Sequence, residues 1–401
     1  MFLPPQEQLE IVTKGCVDVL PKGELLEKLT LSYNQKRPLK IKLGVDPTGT
    51  DIHLGHLVVL FRLKAFQDCG HEVVFLIGDH TGMIGDPTGR SSTRSMLTHE
   101  ELMQNAQTYK NQIYKILDKE KTKFQYNSEW LSKLTFKDMI EITSQMTVAQ
   151  LIERDDFSKR FKNNEPISVV EFLYPLMQGY DSVAMKCDVE LGGQDQLFNL
   201  LVGRTLQKYY NIPAQVVMTV PLLEGTDGIR KMSKSFGNAI GVDESSKDIF
   251  GKIMSIPDSL MWSYFELLTS YSLKEIENLK KEQKEGKNPR DIKLLLAQTI
   301  VAQLKGENEA LTSKREFLSV FSDRLSIPLD TKQIRLSQDT LLVEVALKEN
   351  LVQSKSEIKR LITQGAVTLN KEKVNNEHFM LKKGEEMILK IGKTRFLKII
   401  V

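Results

Sequence analysis

The chain has 401 residues, of which 41% are hydrophobic, and its 55 Lys and Arg nearly balance 52 Asp and Glu to leave a formal net charge of +3. That length allows two to four domains at about 100 to 200 residues each, so more than one core is expected. The N-terminal "MFLPPQEQLE" lacks a basic segment followed by an apolar one, and no run approaches the ~18 apolar residues of a membrane span, so neither an export signal nor a membrane helix is expected.

Cys16, Cys69 and Cys187 are widely spaced and odd in number, without a CxxC or Cys/His cluster. They read as buried thiols of a cytoplasmic protein rather than a disulfide framework or a zinc site. The first half of the chain alternates strands with helices. "LKIKLGV" (39–45) and "HEVVFLIGD" (71–79) are strand-like apolar runs, and "LVVLFRLKAFQDC" (57–69) between them has helical length and ends at Gly70, suited to a left-handed cap. This βαβ unit predicts an α/β domain with a parallel sheet, whose ligands bind beyond the carboxyl ends of the strands. Thr98 and Glu101 form a capping box for a second helix, with Leu102, Ala106, Ile113 and Leu117 near helical spacing. "KKEQKEGKNPR" (280–290) is polar and punctuated by Pro and Gly, and "SIPLDTKQIRLSQDT" (326–340) is a second apolar-poor passage suited to a linker. No internal repeat of about 20 to 50 residues is found.

From Gln353 to Val401 there are eleven Lys or Arg against five Glu, a net +6 that leaves the rest of the chain near −3 and marks a separate basic module. Ser354 and Glu357 predict a capping box for a short basic helix, "KSEIKRLITQG", which carries Lys355, Lys359 and Arg360 and closes at Gly365. "AVTLN" and "EEMILKIGKTRFLKIIV" read as strands with a turn at Gly392 and Lys393.

HLGH, residues 53–56, stands where the first strand gives way to the first helix. Unpaired N–H groups and the positive end of the helix dipole attract phosphate there, imidazoles add donors, and Gly55 lets a ligand approach the backbone. A metal site is disfavoured, because the pair is spaced i, i+3 with no HExxH or third ligand. "GIRKMSKSFGN" (228–238) sets Lys231 and Lys234 three apart among small hydroxyl residues, between Gly228 and Gly237, which suits a loop closing over phosphates. Neither GxGxxG after the first strand nor GxxxxGK[ST] is present.

HLGH followed by KMSKS in an α/β chain resembles the class I aminoacyl-tRNA synthetases. "GVDPTGTDIHLGH", "LIGDHTGMIGDPTGR", "EFLYPLMQGYDS" and "ELGGQDQLFN" resemble, in order and spacing, the motifs of bacterial tyrosyl-tRNA synthetases of the KMSKS form, and with the tail the resemblance covers nearly the whole chain. It implies a Rossmann-like catalytic domain with a helical insertion over 1–225, the KMSKS loop and a helical anticodon-side domain over 226–330, and a linker with a small α+β RNA-binding domain, similar to one from a ribosomal protein, over 331–401. It implies a ligase that activates L-tyrosine with ATP to tyrosyl adenylate and pyrophosphate, then transfers tyrosine to the 3′ end of tRNA(Tyr).

By the same resemblance Asp86, Tyr174 and Gln178 would hold the tyrosine ammonium and Asp181 would accept from its phenol. Tyr174, Gln178 and Asp181 do share spacing that lets them line one pocket from one helix. His53 and His56 would bind ATP phosphates, Gly55 would pass the adenine, and Asp46 and Thr48 would line the nucleotide site. Gly193 would approach ATP by its backbone, Asp195 would meet the ribose, and Gln196 would lie near the reacting carboxyl. Lys231, Met232, Ser233 and Lys234 would close on the phosphates, and Arg90 and Arg94 match a basic segment that contacts departing pyrophosphate. Mg2+ would come with ATP, with no protein-bound metal. Two departures from the family pattern stand out: Lys42 occupies the place of a tyrosine that meets the substrate hydroxyl, and Glu190 stands where others carry Gln. Lys42 is nonetheless counted with the tyrosine-binding residues.

Lys355, Lys359 and Arg360 would track RNA phosphates. A homodimer is implied, with the segment after "TSQMTVAQLIERDDF" (143–157) near the interface. Three alternatives share parts of this pattern. A small-molecule nucleotidylyltransferase could carry HxGH on the same sheet but would not need the basic tail. An RNA-binding paralogue would keep the tail and lose the phosphate-binding positions. A tryptophan-specific synthetase is nearest, and Asp181 argues against it.

Overall fold

The computed structural model describes residues 3–49, 52–87, 97–322, 331–370, 372–384, 386–392 and 395–400. They form two compact units, Met1–Lys314 and Arg315–Val401.

In the first unit β1 (Asp18–Leu20), β2 (Lys40–Val45), β3 (Glu72–Ile77), β4 (Thr122–Tyr126), β5 (Val189–Gly193) and β6 (Val216–Val220) build one sheet in the order β1-β6-β5-β2-β3-β4. Strands β2 to β6 are parallel, and β1 adds an antiparallel edge that the sequence pattern did not reveal. The chain runs outward from β2 through β3 to β4, then returns to lay β5 on the other side of β2. The boundary between β2 and β5 is therefore the topological switch point, where a crevice opens at the strand ends.

Helix Leu54–Asp68 follows β2 and begins three residues earlier than its apolar run, because His53 supplies the N-cap; Gly70, at φ +93°, ends it as expected. The Thr98–Glu101 capping box forms, with Glu101 N donating to Thr98 Oγ1 at 3.3 Å and Thr98 N to Glu101 Oε2 at 2.9 Å. Its helix, His99–Ile113, stops before Leu117, which is buried in the turn beyond. Helix Val169–Met185 packs on Leu197–Tyr209 at close range. A Cβ on Gly179 would lie 3.0 Å from the Val202 and Leu206 side chains and 3.1 Å from the Gly203 nitrogen, so a glycine is needed for these helices to touch.

The 280–290 passage is a helix, a turn and a helix start: Leu273–Lys284 runs through it, Gly286 turns the chain at φ +109°, and Pro289 opens Pro289–Lys305. Its polarity belongs to the solvent face of an amphipathic helix whose Ile276 and Leu279 are buried.

The second unit has strands β7 (Gln333–Arg335), β8 (Thr340–Leu341), β9 (Val367–Leu369), β10 (Glu372–Lys373), β11 (Met380–Leu381), β12 (Met387–Ile391) and β13 (Arg395–Ile400). They form a five-stranded sheet, β10-β9-β12-β13-β7, and a β8-β11 ribbon, with helices Leu342–Lys348 and Lys355–Thr363. Leu342, Ala346, Ile358, Val367, Leu389 and Leu397 are wholly buried in a core of its own. The 326–340 stretch is thus only in part a linker. Residues 333–335 pair with β13 and Thr340 with Leu381, while 326–330, like Lys393, lie outside the described residues.

Candidate active site

A cavity of about 400 Å³ opens at the carboxyl ends of β2, β3, β5 and β6. One end of it is built by HLGH. His53 Nδ1 accepts from Gly55 N at 3.1 Å and His56 Nδ1 accepts from His53 N at 3.2 Å, a reciprocal cap made of two imidazoles. Since each Nδ1 is an acceptor, each uncharged ring carries its proton on Nε2 and offers that N–H as a donor. Burial, the neighbouring imidazole and Lys234 press the His53 pKa down to about 3, and burial presses His56 down to about 4. The pair therefore serves as neutral donors at physiological pH. Gly55 fits because a Cβ would meet the His53 ring at 2.9 Å.

The KMSKS segment lies across the mouth. Lys231 Nζ is 3.4 Å from Asp195 Oδ2, Met232 and Ser233 line the cavity, and Lys234 begins a 3-10 turn to Phe236 from which its charge reaches both imidazoles. Asn238, only 3% exposed, organises this loop. Its Oδ1 accepts from Ser233 N at 2.8 Å, and its Nδ2 donates to Asp227 Oδ2 at 3.1 Å and to the Arg230 and Lys231 carbonyls at 3.3 and 3.2 Å.

The other end of the cavity carries Tyr174, Gln178 and Asp181 on helix Val169–Met185. Tyr174 donates to Asp46 Oδ2 at 2.8 Å, and Thr81 donates to Asp46 Oδ1 at 2.7 Å. Burial lifts the Asp46 carboxyl to about 7 although both hydroxyls favour its anion. Asp46 thus acts as the hub of the pocket wall as well as standing beside Thr48, whose N–H folds back onto the Asp46 carbonyl at 2.8 Å. Asp86 accepts from Gln196 Nε2 at 2.7 Å and from Arg154 Nη2 at 3.2 Å. Asn199 Nδ2 donates to Gln178 Oε1 at 2.9 Å and to Gln196 Oε1 at 3.2 Å, while its own oxygen accepts from Arg154 Nη1 at 3.1 Å. Arg154 and Asn199 so tie together Asp86, Gln178 and Gln196.

At the floor, Asp181 is 2% exposed and accepts from Trp130 Nε1 at 2.7 Å and Asn127 Nδ2 at 3.2 Å. Burial raises its pKa to about 6, with Lys42 and these two donors restraining the rise. Lys42 lies beneath, in a 2.7 Å ion pair with Glu190. Burial works against the Lys42 ammonium, but the Glu190 and Asp181 carboxylates outweigh it and raise its pKa.

The sequence-predicted residues of HLGH, the tyrosine pocket, Gly193 to Gln196 and Lys231 to Ser233 thus share one cavity. Arg90 and Arg94 lie outside the described residues. Lys355, Lys359 and Arg360 are in the second unit, exposed on Lys355–Thr363, with Lys359 paired to Glu377 at 2.9 Å. The Ser354 cap forms through Glu357 N at 3.1 Å, whereas the Glu357 carboxylate reaches Gln353 N at 2.8 Å and so steps one residue outside the expected box. Sequence reasoning missed Arg154, Asn199, Asn238, Trp130 and Asn127. Arg154, Asn199 and Asn238 lay within quoted stretches, but none of the three was singled out.

A parallel sheet with an imidazole-capped helix at its switch point, faced by a KMSKS loop, defines the catalytic core of a class I tRNA synthetase. Residues 34–322 match the family described as tRNA synthetases class I (W and Y), and residues 342–387 match the S4 domain. A tyrosine-tRNA ligase of Carboxydothermus hydrogenoformans is 52% identical over 98% of this chain and 98% of its own, and one of Haemophilus influenzae is 51% identical over 96% and 95%. The chain belongs to the tyrosine-tRNA ligase family. Its fold is shared with the C-terminally truncated mitochondrial tyrosyl-tRNA synthetase of Aspergillus nidulans, at TM-score 0.64 and 23% identity over 79% of this chain and 94% of that one. The Archaeoglobus fulgidus tyrosyl-tRNA synthetase, solved with L-tyrosine, aligns at TM-score 0.61 and 23% identity over 77% and 99%.

Proposed function

We infer that this chain is a tyrosine-tRNA ligase, which activates L-tyrosine with ATP and transfers it to the 3′ end of tRNA(Tyr). The observation that carries this reading is the polarity of one cavity: neutral imidazole donors and the loop lysine Lys231 at one end, with the Lys234 charge close enough to act on both imidazoles, and a buried carboxylate, Asp181, at the other. Tyrosine would lie with its phenol on Asp181 and its ammonium toward Asp86, Tyr174 and Gln178. ATP would lie over Gly55 and Gly193, with its ribose at Asp195 and its phosphates at His53 and His56.

Chemistry is then positional and electrostatic. The tyrosine carboxylate attacks the α-phosphorus in line, and His53, His56, Lys231 and Lys234 stabilise charge that builds on the β and γ phosphates. Gln196, fixed by Asn199, orients the carboxyl end. A ribose hydroxyl at the tRNA 3′ end then attacks the adenylate and releases AMP. Magnesium would enter as the counter-ion of ATP, and among the described residues no group of three or more His, Cys, Asp or Glu is placed to hold a metal.

The division of labour follows: catalysis over 1–225, loop and helical domain over 226–330, and RNA contact from the tail, with Lys355, Lys359 and Arg360 on its exposed helix. Arg90 and Arg94 would reach the pyrophosphate. A homodimer is supported by apolar side chains left on the helices flanking 143–157, where Phe136 is 82% exposed and Val169 77%. No helix among the described residues is long and apolar enough to cross a membrane, and we place the enzyme in the cytoplasm with its tRNA. Aminoacylation of tRNA(Tyr) with labelled tyrosine tests the whole reading; a folded chain that charges no tRNA(Tyr) would overturn it.

A further inference from the structure

Beneath the proposed phenol site lies a buried charge pair for which the reaction has no direct use. Lys42 on β2 and Glu190 on β5 stand opposite each other in register at the switch point, with side chains 0% and 2% exposed. Removing two charges from water costs several kcal/mol each in general, and apolar residues of similar volume often serve stability as well or better. Packing alone does not account for the pair.

Its bonds point to the substrate helix. Lys42 Nζ donates to Ser182 Oγ at 2.8 Å and to the Gln178 carbonyl at 3.2 Å, besides its 2.7 Å contact with Glu190 Oε1. An ammonium has three N–H groups, so all are committed, and Lys42 cannot also donate to a phenol without giving one up. Gln178 and Ser182 bracket Asp181 in sequence, which places the cation under the turn that presents that carboxylate. Glu190 Oε2 completes the frame by accepting from Ser182 Oγ at 2.6 Å and Gln215 Nε2 at 3.0 Å.

We propose that Lys42 is a positioning residue for tyrosine recognition: with Glu190 as its counter-charge, it sets both the place and the charge of Asp181, the acceptor of the substrate phenol. This rests on the assignment of Asp181 to the phenol. An anionic Asp181 accepts a hydrogen bond from the phenol O–H, whereas a protonated one presents a competing donor and binds the hydroxyl poorly. The groups that face Asp181 are Lys42 from β2, Glu190 from β5, and the neutral donors Trp130 and Asn127 beyond β4, with Asp46 and Tyr174 interacting from the pocket wall. Of the two charges beneath it, Lys42 draws its pKa down and Glu190 pushes it up.

The two partners therefore have opposite effects, which a merely structural pair would not. Equilibrium tyrosine binding to the full chain, without ATP and followed from pH 5 to 8.5, should weaken in the wild type as pH falls through about 6. Lys42→Met should move that transition upward by about one unit or more, and Glu190→Gln should move it downward. Asp46, lifted to about 7 chiefly by burial, is coupled to Asp181 by charge, so each variant is compared with the wild type by the displacement of its lower transition. Displacement of both variants in the same direction, or of neither, overturns the proposal. If a single variant fails to fold, Lys42→Met combined with Glu190→Gln leaves no unpaired charge and offsets the two effects on the Asp181 charge, but it still removes the Lys42 bonds to Ser182 Oγ and the Gln178 carbonyl that place Asp181. Its preference for tyrosine over phenylalanine should then fall about tenfold with melting temperature retained, and an unchanged preference overturns the proposal. A wild type with no transition, together with intact tyrosine binding in Asp181→Asn, would remove the Asp181 assignment itself and the proposal with it.

Discussion

Lys231 Nζ lies 3.4 Å from Asp195 Oδ2, so a lysine of the KMSKS loop is paired with the carboxylate assigned to the ATP ribose. With the ATP ribose at Asp195 as proposed, the nucleotide would part them and free the lysine for the phosphates, while the Asn238 side chain holds the loop backbone at Ser233 and Lys231. Replacing Lys231 or Lys234 with Ala should slow adenylate formation about 10²- to 10³-fold, the usual scale for losing one preorganised charge-stabilising donor, with tyrosine affinity changed less than about threefold. Single-turnover activation and equilibrium tyrosine binding check the two halves of this statement. An unaltered single-turnover rate would exclude the lysines from the chemical step.

Asp181→Asn keeps the shape of the pocket floor and removes its charge. Because an unpaired buried polar group costs about 1–3 kcal/mol, tyrosine should lose roughly ten- to a hundredfold in kcat/KM while phenylalanine, which never paired with the carboxylate, changes little. Parallel kinetics with the two amino acids measure this. A uniform loss for both would point to a structural role.

His71 is 4% exposed, with Nδ1 accepting from Leu39 N at 3.2 Å and Nε2 2.7 Å from Gln8 Oε1, and burial lowers its pKa to about 4. In the unfolded chain the ring titrates near 6.5, so its contribution to stability is present above that pH and is lost as pH falls toward 4, at up to about 1.4 kcal/mol per pH unit. His71→Gln should therefore lower stability at pH 7 yet flatten its decline between pH 6.5 and 4, as read by denaturant unfolding at several pH values. Parallel slopes for both proteins would show that His71 is protonated in the folded state.

Much of the site was legible because its chemistry is local in sequence. HLGH stands at a helix N-terminus and KMSKS in a short loop; Tyr174, Gln178 and Asp181 came from the family resemblance, with spacing along one helix that suits a shared pocket. Arg154 was hidden because, besides Asp156 two residues on, its partners Asp86 and Asn199 stand 68 and 45 residues away, and nothing in "ERDDF" distinguishes a buried cation from a surface one. The same ambiguity made 280–290 resemble a linker: a polar loop and the solvent face of a helix have the same composition. β1 escaped notice since a three-residue edge strand leaves no alternating pattern to read.

The tail should be separable from activation. Its core is its own, from Leu342 to Ile399. Deleting residues 331–401 should leave tyrosine-dependent pyrophosphate exchange within about twofold of the parent and reduce tRNA charging about tenfold or more, as the loss of a few phosphate contacts requires. Equal loss of both activities would mean that the tail supports the fold of the catalytic unit.

The most direct measurement is pyrophosphate exchange into ATP with each of the twenty amino acids in turn and no tRNA. A cavity with neutral imidazole donors at one end and Asp181 at the other predicts exchange that depends on tyrosine. Exchange driven by tryptophan or phenylalanine instead, or none from a folded chain, would contradict the account.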